Sequence, residues 1–588
     1  MEHLLLKNGG LYLRDKMSKN TRDLLLELDK ESREWKNAVY RLYDLQTDGW
    51  RRIPLDGDPI RIIIPHVSSS EPTKQPYEVC EGLKLVCVRR PDNQSSSTLF
   101  TLALINDFEG GERKRADQTF FQASFRVSPA DSEVRFLDYE HPSVSVIDDW
   151  EEQSMALLYR NRKVLGVGHG CAVSWDDKGT RLETEVIPSY EVLSSKFDVD
   201  ELSFLTEVLS MRNLSDLTAL SKDEIIRGLG AFVDTYVEWI DRKLENAQTL
   251  DEHLFITAKR HLAECYECAD RLRQGVRLLN EDDWVFEAFQ LANRAMLMQR
   301  AHTQLQRDKR YPEEDSMKWP DYTRFPLKDA SWRPFQLAFF LLNICSMSDP
   351  DSPHRDIVDL IWFPTGGGKT EAYLGVSAFT IFLRRLRYPK TGAGTAIIMR
   401  YTLRLLTAQQ FQRASTLICA CELIRQERPK ISIGLWIGSA STPNTLDNAC
   451  DRLDRLVSGV EKGNPFQVLT CPWCGTRLTK DEGKGSWGYK VGSRPRRLKI
   501  LCTKATCPFF NDLPIMVVDE DIYRNPPTLL FGTVDKFALL PWRQETKNIL
   551  GLSAEVLSPE LIIQDELHLI SGPLGTIVGL YETAIDLL

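Results

Sequence analysis

The sequence lacks a segment that could cross a membrane or direct export. The longest apolar run near its middle, Phe335–Cys345, is interrupted by Gln336 and Asn343 and is far shorter than the roughly 20 residues that a membrane-spanning helix needs. The first residues lack the basic start and long apolar core of a secretory signal. We therefore expect a cytoplasmic protein with no membrane partner, whose 13 cysteines are reduced thiols or metal ligands rather than disulfides.

An overall positive charge is also lacking, since the formal net charge is −9. Basic residues are nevertheless concentrated in two stretches that contain no Asp or Glu, Ala372–Cys421 and Gly483–Asn511. The first contains Arg384, Arg385, Arg387, Lys390, Arg400, Arg404 and Arg413. Local basic stripes, more than net charge, are typical of a nucleic-acid path. A solvated basic face is the alternative interpretation.

No internal repeat and no long low-complexity tract divides the chain, so its organisation follows from changes in local pattern. Mixed Leu and charge at near-helical spacing predicts a helical segment over 1–45. Short β-type runs broken by turn residues predict a β-rich domain over 46–195, and long apolar and charged alternation predicts a helical domain over 196–307. A proline-rich linker over 308–328 precedes the last domain, 329–588.

The last domain alternates strand and helix patterns. Its predicted strands are Val358–Phe363, Ala396–Arg400, Ile431–Ile437, Thr528–Thr533 and Leu561–Gln564, and its predicted helices include Thr370–Leu386 and Thr402–Gln426. Such alternation predicts a parallel sheet with crossover helices. The expected fold class is therefore multidomain α/β, with a RecA-like lobe if the loops of this sheet carry nucleotide chemistry.

A glycine-rich turn follows the first of these strands. It contains Thr365, Gly366, Gly367, Gly368, Lys369 and Thr370. Successive glycines let the backbone fold around phosphates and point its N–H groups inward, at the N-terminus of a helix. We expect Lys369 to reach the β- and γ-phosphates of ATP and Thr370 to ligate Mg²⁺. The segment departs from the general P-loop pattern at its first position, where Phe363 replaces glycine. A glycine-rich turn that binds no nucleotide is the alternative interpretation.

Two adjacent carboxylates, Asp565 and Glu566, follow the last predicted strand. Parallel sheets bind ligands at this end of their strands. Asp565 would hold Mg²⁺, and Glu566 would orient or deprotonate the attacking water. An isolated pair of this kind is often a surface feature, but a glycine-rich turn on the same sheet favours a nucleotide site.

Four cysteines form two close pairs within the last domain: Cys471, Cys474, Cys502 and Cys507. Two pairs at this spacing predict a four-thiolate zinc ribbon, inserted over about 441–527. Metal binding of about 10–16 kcal/mol would let so small an insertion fold with little apolar core. Unrelated core cysteines are the alternative. Because the second basic stretch lies largely between the pairs, we expect the ribbon to touch DNA or a partner.

The glycine-rich turn and the carboxylate pair together resemble motifs I and II of superfamily 2 helicases. The resemblance implies that His568 senses the γ-phosphate and that Arg333 and Gln336 read adenine, although an ordinary helix start is an alternative for the last two. Two further segments resemble motifs Ia and Ib, which implies nucleic-acid contacts from Arg400, Thr402, Arg404, Thr533 and Lys536. Phosphate contacts of this kind position a strand without reading its sequence.

Segments across most of the chain resemble the DrmA-like helicases of the DISARM antiphage system. These segments are Tyr159–Arg162, Gly166–Ala172, Phe289–Met298, Phe363–Gly375, Met399–Ala414 and Asp565–Thr576. The resemblance implies an ATP-dependent DNA helicase or translocase that acts on phage DNA, as a single strand or at a duplex end. It also implies a companion protein, DrmB.

The sequence ends at Leu588, shortly after the carboxylate pair, without a recognisable second helicase lobe. That lobe normally supplies an arginine finger worth about 10³–10⁵ in rate. We therefore expect ATP binding with slow hydrolysis, unless a second lobe acts in cis or in trans. Two alternatives stay open: an incomplete half-helicase that acts as a nucleotide-gated DNA-binding switch, and the motor subunit of another restriction or repair system.

Overall fold

A computed structural model describes a large part of the chain. The described residues are 6–7, 10–11, 60–65, 71–91, 97–108, 119–121, 123–131, 134–139, 149–185, 187, 205–215, 219–307, 321–322, 330–363, 367–401, 404–439, 441–461, 463–479, 487–493, 496–552, 556–566, 579 and 582–583. The chain divides into two compact units, Met1–Val192 and Leu193–Leu588. Most of the predicted helical segment 1–45 and of the linker 308–328 lies outside the described residues.

The first unit contains two three-stranded antiparallel sheets, one two-stranded antiparallel sheet (β1–β2) and one helix among its described residues. Its elements are β1 (Leu6–Lys7), β2 (Gly10–Leu11), β3 (Thr73–Cys80), β4 (Leu83–Pro91), β5 (Thr98–Asn106), β6 (Arg126–Val127), α1 (Trp150–Tyr159), β7 (Ala172–Trp175) and β8 (Leu182–Glu185). Strand β4 lies between β3 and β5, and β8 lies between β6 and β7. The central strand β4 buries Leu83, Leu85 and Cys87, whose side chains share one face because strand side chains alternate.

The second unit begins with helices. They are α2 (Leu205–Leu209), α3 (Met211–Ser215), α4 (Lys222–Ala247), α5 (Glu252–Glu281), α6 (Asp283–Arg307) and α7 (Pro334–Ser348). Helix α4 begins with a capping box, in which the Ser221 side chain accepts from the Glu224 N–H and the Glu224 carboxylate accepts from the Ser221 N–H. Helices α5 and α7 approach closely at Gly275, where a Cβ atom would collide with the Leu341 carbonyl oxygen.

A five-stranded parallel sheet follows, with its crossover helices. The elements are α8 (Lys369–Arg387), β9 (Ile397–Tyr401), α9 (Arg404–Ile424), β10 (Ile433–Trp436), α10 (Leu446–Val457), β11 (Tyr489–Ser493), β12 (Arg496–Ile500), β13 (Ile515–Met516), α11 (Asp519–Arg524), β14 (Leu529–Thr533), α12 (Val534–Phe537), a 3₁₀ turn (Leu540–Trp542), α13 (Thr546–Ile549) and β15 (Leu561–Gln564). The strand order is β13-β10-β14-β9-β15, and every neighbouring pair is parallel. The expected multidomain α/β class with a parallel sheet is confirmed at this level.

One predicted strand of this sheet is wrong. Residues Val358–Phe363 are not hydrogen-bonded to any strand in the described part of the chain. The side chains of Val358, Leu360 and Trp362 are exposed, whereas Asp359 between them is held by two hydrogen bonds from Arg271. The segment therefore has the alternation and apolar content of a strand, but no strand among the described residues pairs with it.

The insertion in the parallel sheet leaves after β10 and returns at β13, so the sheet resumes earlier than the predicted limit of about 527. It contains α10, the antiparallel hairpin β11–β12 and the four cysteines. Among the helices that the structure describes, none has both the length and the apolar character required to span a bilayer.

Candidate functional site

The glycine-rich turn leads into α8, the helix at the centre of the second unit. Gly368 precedes this helix with a φ of +88°, in the left-handed region that favours glycine. A Cβ atom here would lie 2.8 Å from the Gln336 amide nitrogen. Lys369 turns back, and its ammonium donates to the Phe363 carbonyl at 2.8 Å. Thr365 and Gly366 lie outside the described residues.

Two residues at the start of α7 hold the glycine-rich turn. The Arg333 guanidinium donates to the Gly367 carbonyl, and the Gln336 amide donates to the Gly368 carbonyl at 2.7 Å. The amide oxygen of Gln336 accepts from the Arg333 N–H at 2.9 Å, and the Gln336 side chain is buried. The amide expected to read adenine is thus engaged at both ends with backbone groups. In this conformation Arg333 and Gln336 brace the turn, and the helix start anticipated as an alternative is present.

The carboxylate pair follows β15 directly. The Asp565 N–H donates to the Arg400 carbonyl at 3.2 Å, which continues the pairing of β15 with β9 by one residue. One Asp565 carboxylate oxygen accepts from the Glu566 N–H at 2.9 Å. Glu566 has a φ of +52°, a left-handed conformation that costs a non-glycine residue about 1–3 kcal/mol and is concentrated at functional sites. His568 lies outside the described residues.

The end of the glycine-rich turn and the carboxylate pair meet at one side chain, Tyr373. The Tyr373 hydroxyl lies 3.2 Å from the Thr370 hydroxyl, 3.0 Å from an Asp565 carboxylate oxygen and 3.0 Å from the Tyr401 hydroxyl. The Thr370 hydroxyl also lies 3.4 Å from the Gln410 amide oxygen. Two motifs that are far apart in the sequence therefore converge at the carboxyl edge of the sheet.

This part of the site is buried, and its phenols are neutral. Burial, followed by the negative charge of Asp565, raises the pKa of Tyr373 well above its usual range. Burial and the neighbouring Tyr373 do the same for the pKa of Tyr401. Both hydroxyls therefore keep their protons at physiological pH and can donate to the carboxylate. The hydroxyl of Thr370 and the carboxylate of Asp565 are hard oxygen donors of the type that Mg²⁺ prefers, so the residues fit that ion.

A buried carboxylate joins the start of α8 to two other helices. Glu371, which is 6% exposed, forms ion pairs with Arg413 of α9 and, at 3.6 Å, with Arg300 of α6. The first turn of α8 is therefore tied to the helix that follows β9. Neither Tyr373 nor Glu371 was singled out from the sequence. The signal was their position one to three residues after Thr370, within the same helical turn.

The candidate nucleic-acid contacts lie mostly in the interior. Arg400, Thr533 and Lys536 are each at least 94% buried, and the Lys536 ammonium is paired with the buried Asp519 carboxylate. Thr402 lies outside the described residues, as does the side chain of Arg404, whose backbone begins α9. A side chain covered to this extent cannot grip a phosphate without moving, so Arg400, Thr533 and Lys536 hold the fold in this conformation.

The first basic stretch is neither a solvated face nor an open path over most of its length. Arg384 is buried at the end of α8 and donates to the carbonyls of Gly392 and Ser558. Arg385 is buried beside it, and Arg387 pairs with Asp282 at 2.7 Å. These guanidinium groups satisfy loop carbonyls and carboxylates inside the second unit. The expectation that this stretch marks a nucleic-acid path is wrong for these three residues.

The four cysteines form a buried cluster. The sulfur atoms of Cys471, Cys474, Cys502 and Cys507 all lie within 4.8 Å of one another. A tetrahedral zinc site with Zn–S bonds of about 2.3 Å requires sulfur atoms roughly 3.8 Å apart, and Cys474 and Cys502 are 3.4 Å apart. The Lys504 N–H donates to the Cys502 sulfur, as backbone groups do around a thiolate. The cluster is compatible with zinc. It rules out the alternative that these four cysteines are unrelated core residues.

Helix α6 holds the loop between the first two cysteines. The His302 ring stacks on Trp473 with centroids 3.5 Å apart, and its Nδ1 lies 2.7 Å from the Trp473 carbonyl oxygen. Because a carbonyl can only accept, Nδ1 carries the proton, and Nε2 accepts from the Tyr322 hydroxyl at 2.9 Å. Burial lowers the pKa of His302 to about 4, so the ring is neutral at pH 7. Thr416 of α9 donates to the neighbouring Pro472 carbonyl.

Fold and site together define a multidomain α/β protein whose candidate site lies at the carboxyl edge of a parallel sheet. No protein-family model matches the chain. In an alignment of 534 residues, the chain is 35% identical to the DISARM protein DrmA of Bacillus paralicheniformis, with 80% of this chain covered. The chain is therefore a DrmA-like DISARM protein, and it spans 45% of the length of this relative.

Proposed function

We propose that the chain is the ATP-binding part of a DNA helicase or translocase that acts in defence against phage DNA. The observation that carries the proposal is the convergence of Thr370 and Asp565 on the Tyr373 hydroxyl, at the carboxyl edge of a parallel sheet. Open and parallel sheets bind nucleotides at this edge. The defence role is supported by the similarity to a DISARM protein.

The roles of the residues follow from their positions. Lys369 would bind the β- and γ-phosphates, exchanging its bond to the Phe363 carbonyl for a stronger, charge-assisted bond to a phosphate oxygen. The backbone N–H groups at the start of α8 would add a favourable field for anions. Arg333 and Gln336 would keep Gly367 and Gly368 in the shape that the phosphates require.

Thr370 and Asp565 would hold Mg²⁺, which supplies neutralisation of phosphate charge when bound. Glu566 follows Asp565 and would orient or deprotonate the attacking water. His568 would sense the γ-phosphate. An arginine finger from a second helicase lobe, in cis or in trans, would complete the site, since such a group raises rates by about 10³–10⁵.

DNA would pass the N-terminus of α9, where Thr402 and Arg404 would contact phosphates from a helix start. The four-cysteine cluster would hold Zn²⁺, and the companion partner would be DrmB. The protein would act in the cytoplasm, where thiols stay reduced.

Nucleotide binding and hydrolysis by the purified chain, with and without single-stranded DNA, test the proposal. Lys369→Ala should abolish ATP binding and turnover, because it removes the cation that reaches the phosphates. The matched control is Lys547→Ala, which removes an exposed lysine of α13 outside both basic stretches. DNA-stimulated turnover in the unaltered chain and the control, and its loss in Lys369→Ala, would support the motor.

The other outcomes separate the alternatives. ATP binding without hydrolysis, with and without DNA and after addition of a second helicase lobe, would favour the nucleotide-gated DNA-binding switch. If the unaltered chain binds no ATP, the glycine-rich turn has no nucleotide role and the proposal fails.

A further inference from the structure

We propose that Tyr373 is the positioning residue of the magnesium site: its hydroxyl orients Thr370 and Asp565 together so that both present lone pairs to the ion. The inference rests on the proposed function and goes beyond it, because it assigns a role to a side chain outside the glycine-rich turn and the carboxylate pair. Its basis is the placement of one phenol oxygen within 3.2 Å of both candidate ligands.

The single proton of the Tyr373 hydroxyl determines the direction of the bonds. A charged acceptor gives the stronger hydrogen bond, so this proton goes to the Asp565 carboxylate. The same O–H also faces the Thr370 oxygen at 3.2 Å, which accepts from it. Thr370 donates its own proton to the Gln410 amide oxygen at 3.4 Å, and the Tyr401 hydroxyl, 3.0 Å away, can donate to the Tyr373 oxygen.

This arrangement presents the ligands as a cation requires. Because the Thr370 oxygen accepts from Tyr373 and donates its proton to Gln410, its remaining lone pair is left for the cation. The carboxylate of Asp565 is fixed at both oxygens, one by Tyr373 and the other by the Glu566 N–H. Groups that hold metal ligands in this way typically account for a 10–100-fold difference in metal affinity.

The location of Tyr373 explains why a phenol is suited to the role. It lies three residues after Thr370 on the same face of α8, and it is 7% exposed. A buried lysine or arginine here would instead compete with the cation for the carboxylate.

The experiment measures how Mg²⁺ affects the binding of a fluorescent, non-hydrolysable ATP analogue to the full chain. For the unaltered chain, Tyr373→Phe and Tyr489→Phe, the analogue is titrated in EDTA, and Mg²⁺ is then titrated at fixed analogue. Tyr489→Phe is the matched control, since it removes another buried phenol hydroxyl, located in the insertion. Thermal unfolding in EDTA verifies that each variant is folded.

We expect Tyr373→Phe to shift the Mg²⁺ midpoint about 10–100-fold upward, while affinity in EDTA stays within about twofold. Tyr489→Phe should leave both values unchanged. An unchanged Mg²⁺ midpoint in Tyr373→Phe would overturn the assignment, and so would an equal loss of affinity in EDTA, which indicates a role in packing alone. If the unaltered chain binds the analogue but gains nothing from Mg²⁺, only this inference fails; if it binds no analogue, the proposed function fails with it.

Discussion

At the scale of single residues, helix α11 places two buried carboxylates in contrasting surroundings. Asp519 is paired with the Lys536 ammonium, whereas Asp521 accepts only a backbone bond, from the Leu498 N–H at 3.2 Å, among the contacts described for it. Burial raises the pKa of Asp521 to about 6, against 3.8 in the unfolded chain. The protonated form of Asp521 is therefore the one that the fold favours.

Asp521→Asn should stabilise the protein at neutral pH. Because the folded pKa lies above the unfolded value, the contribution of the protonated carboxyl is complete below about pH 4 and is lost as the pH rises through about 6. At pH 7.5 the neutral amide should raise the free energy of unfolding by about 1–2 kcal/mol, with a smaller gain at pH 5. Denaturant unfolding at both pH values measures the difference. A gain independent of pH would show that the charge is not its cause.

Asp519→Asn should have the opposite effect, although the same substitution is made only two residues away. It leaves the Lys536 ammonium, which is 6% exposed, without its anionic partner. The expected loss is about 3 kcal/mol in the free energy of unfolding, since an uncompensated buried charge is costly. The same unfolding measurement at pH 7.5 checks it, and a variant as stable as the unaltered chain would contradict the buried pair.

The sequence could predict which residues belong to the candidate site, but it could not predict which groups surround each of them. The motif pattern located Lys369, Thr370 and Asp565, whose side chains the structure brings together or places at the same helix start. The same kind of pattern assigned Lys536 to a phosphate, whereas its partner is the buried Asp519 carboxylate of α11, 17 residues earlier. Burial depends on which elements pack around a side chain, and a local motif contains no information about that packing.

At the scale of elements, the four-cysteine cluster is the clearest case in which residue spacing predicted that side chains come together. The two pairs predicted a common site, and their sulfur atoms meet. The helix predicted over Thr370–Leu386 is confirmed within one residue at each end by α8. By contrast, the strand predicted over Val358–Phe363 has the expected alternation but no partner in the described residues. An alternating pattern shows which face of a segment is apolar. A strand also needs a neighbouring backbone with which it can form hydrogen bonds.

Cys474→Ser should release the metal and loosen the insertion. We expect about one zinc ion per chain in the unaltered protein and a loss of most of it in the variant, because three thiolates bind zinc more weakly than four. Elemental analysis measures the content, and limited proteolysis should show new cleavage between 463 and 513. Cys450→Ser is the matched control, since it removes a thiol of the same insertion that lies outside the cluster. Equal zinc in both variants would contradict the site.

At the scale of the whole molecule, the parallel sheet explains why separate motifs converge. Parallel strands all end at one edge, so residues that follow β9 and β15 lie near one another wherever they occur in the sequence. Strand endings alone therefore predict that Asp565 and the end of β9 share one edge of the sheet. They do not place the glycine-rich turn there, because the Val358–Phe363 segment before it is not paired with a strand in the described residues. Strand endings do not predict the order of the strands. That order places β9 beside β15, where Arg400 pairs with Gln564, so the next residues, Tyr401 and Asp565, lie side by side.

That strand order also has a consequence for folding during synthesis on the ribosome. Strands β9, β10, β13 and β14 can assemble as soon as they emerge, because β15 adds only to the outer edge beside β9. Asp565 emerges about 200 residues after Thr370, a delay of roughly 10–40 s at ordinary rates of synthesis. For that interval the nascent chain has its glycine-rich turn but no carboxylate pair beside it, so the proposed magnesium site is incomplete.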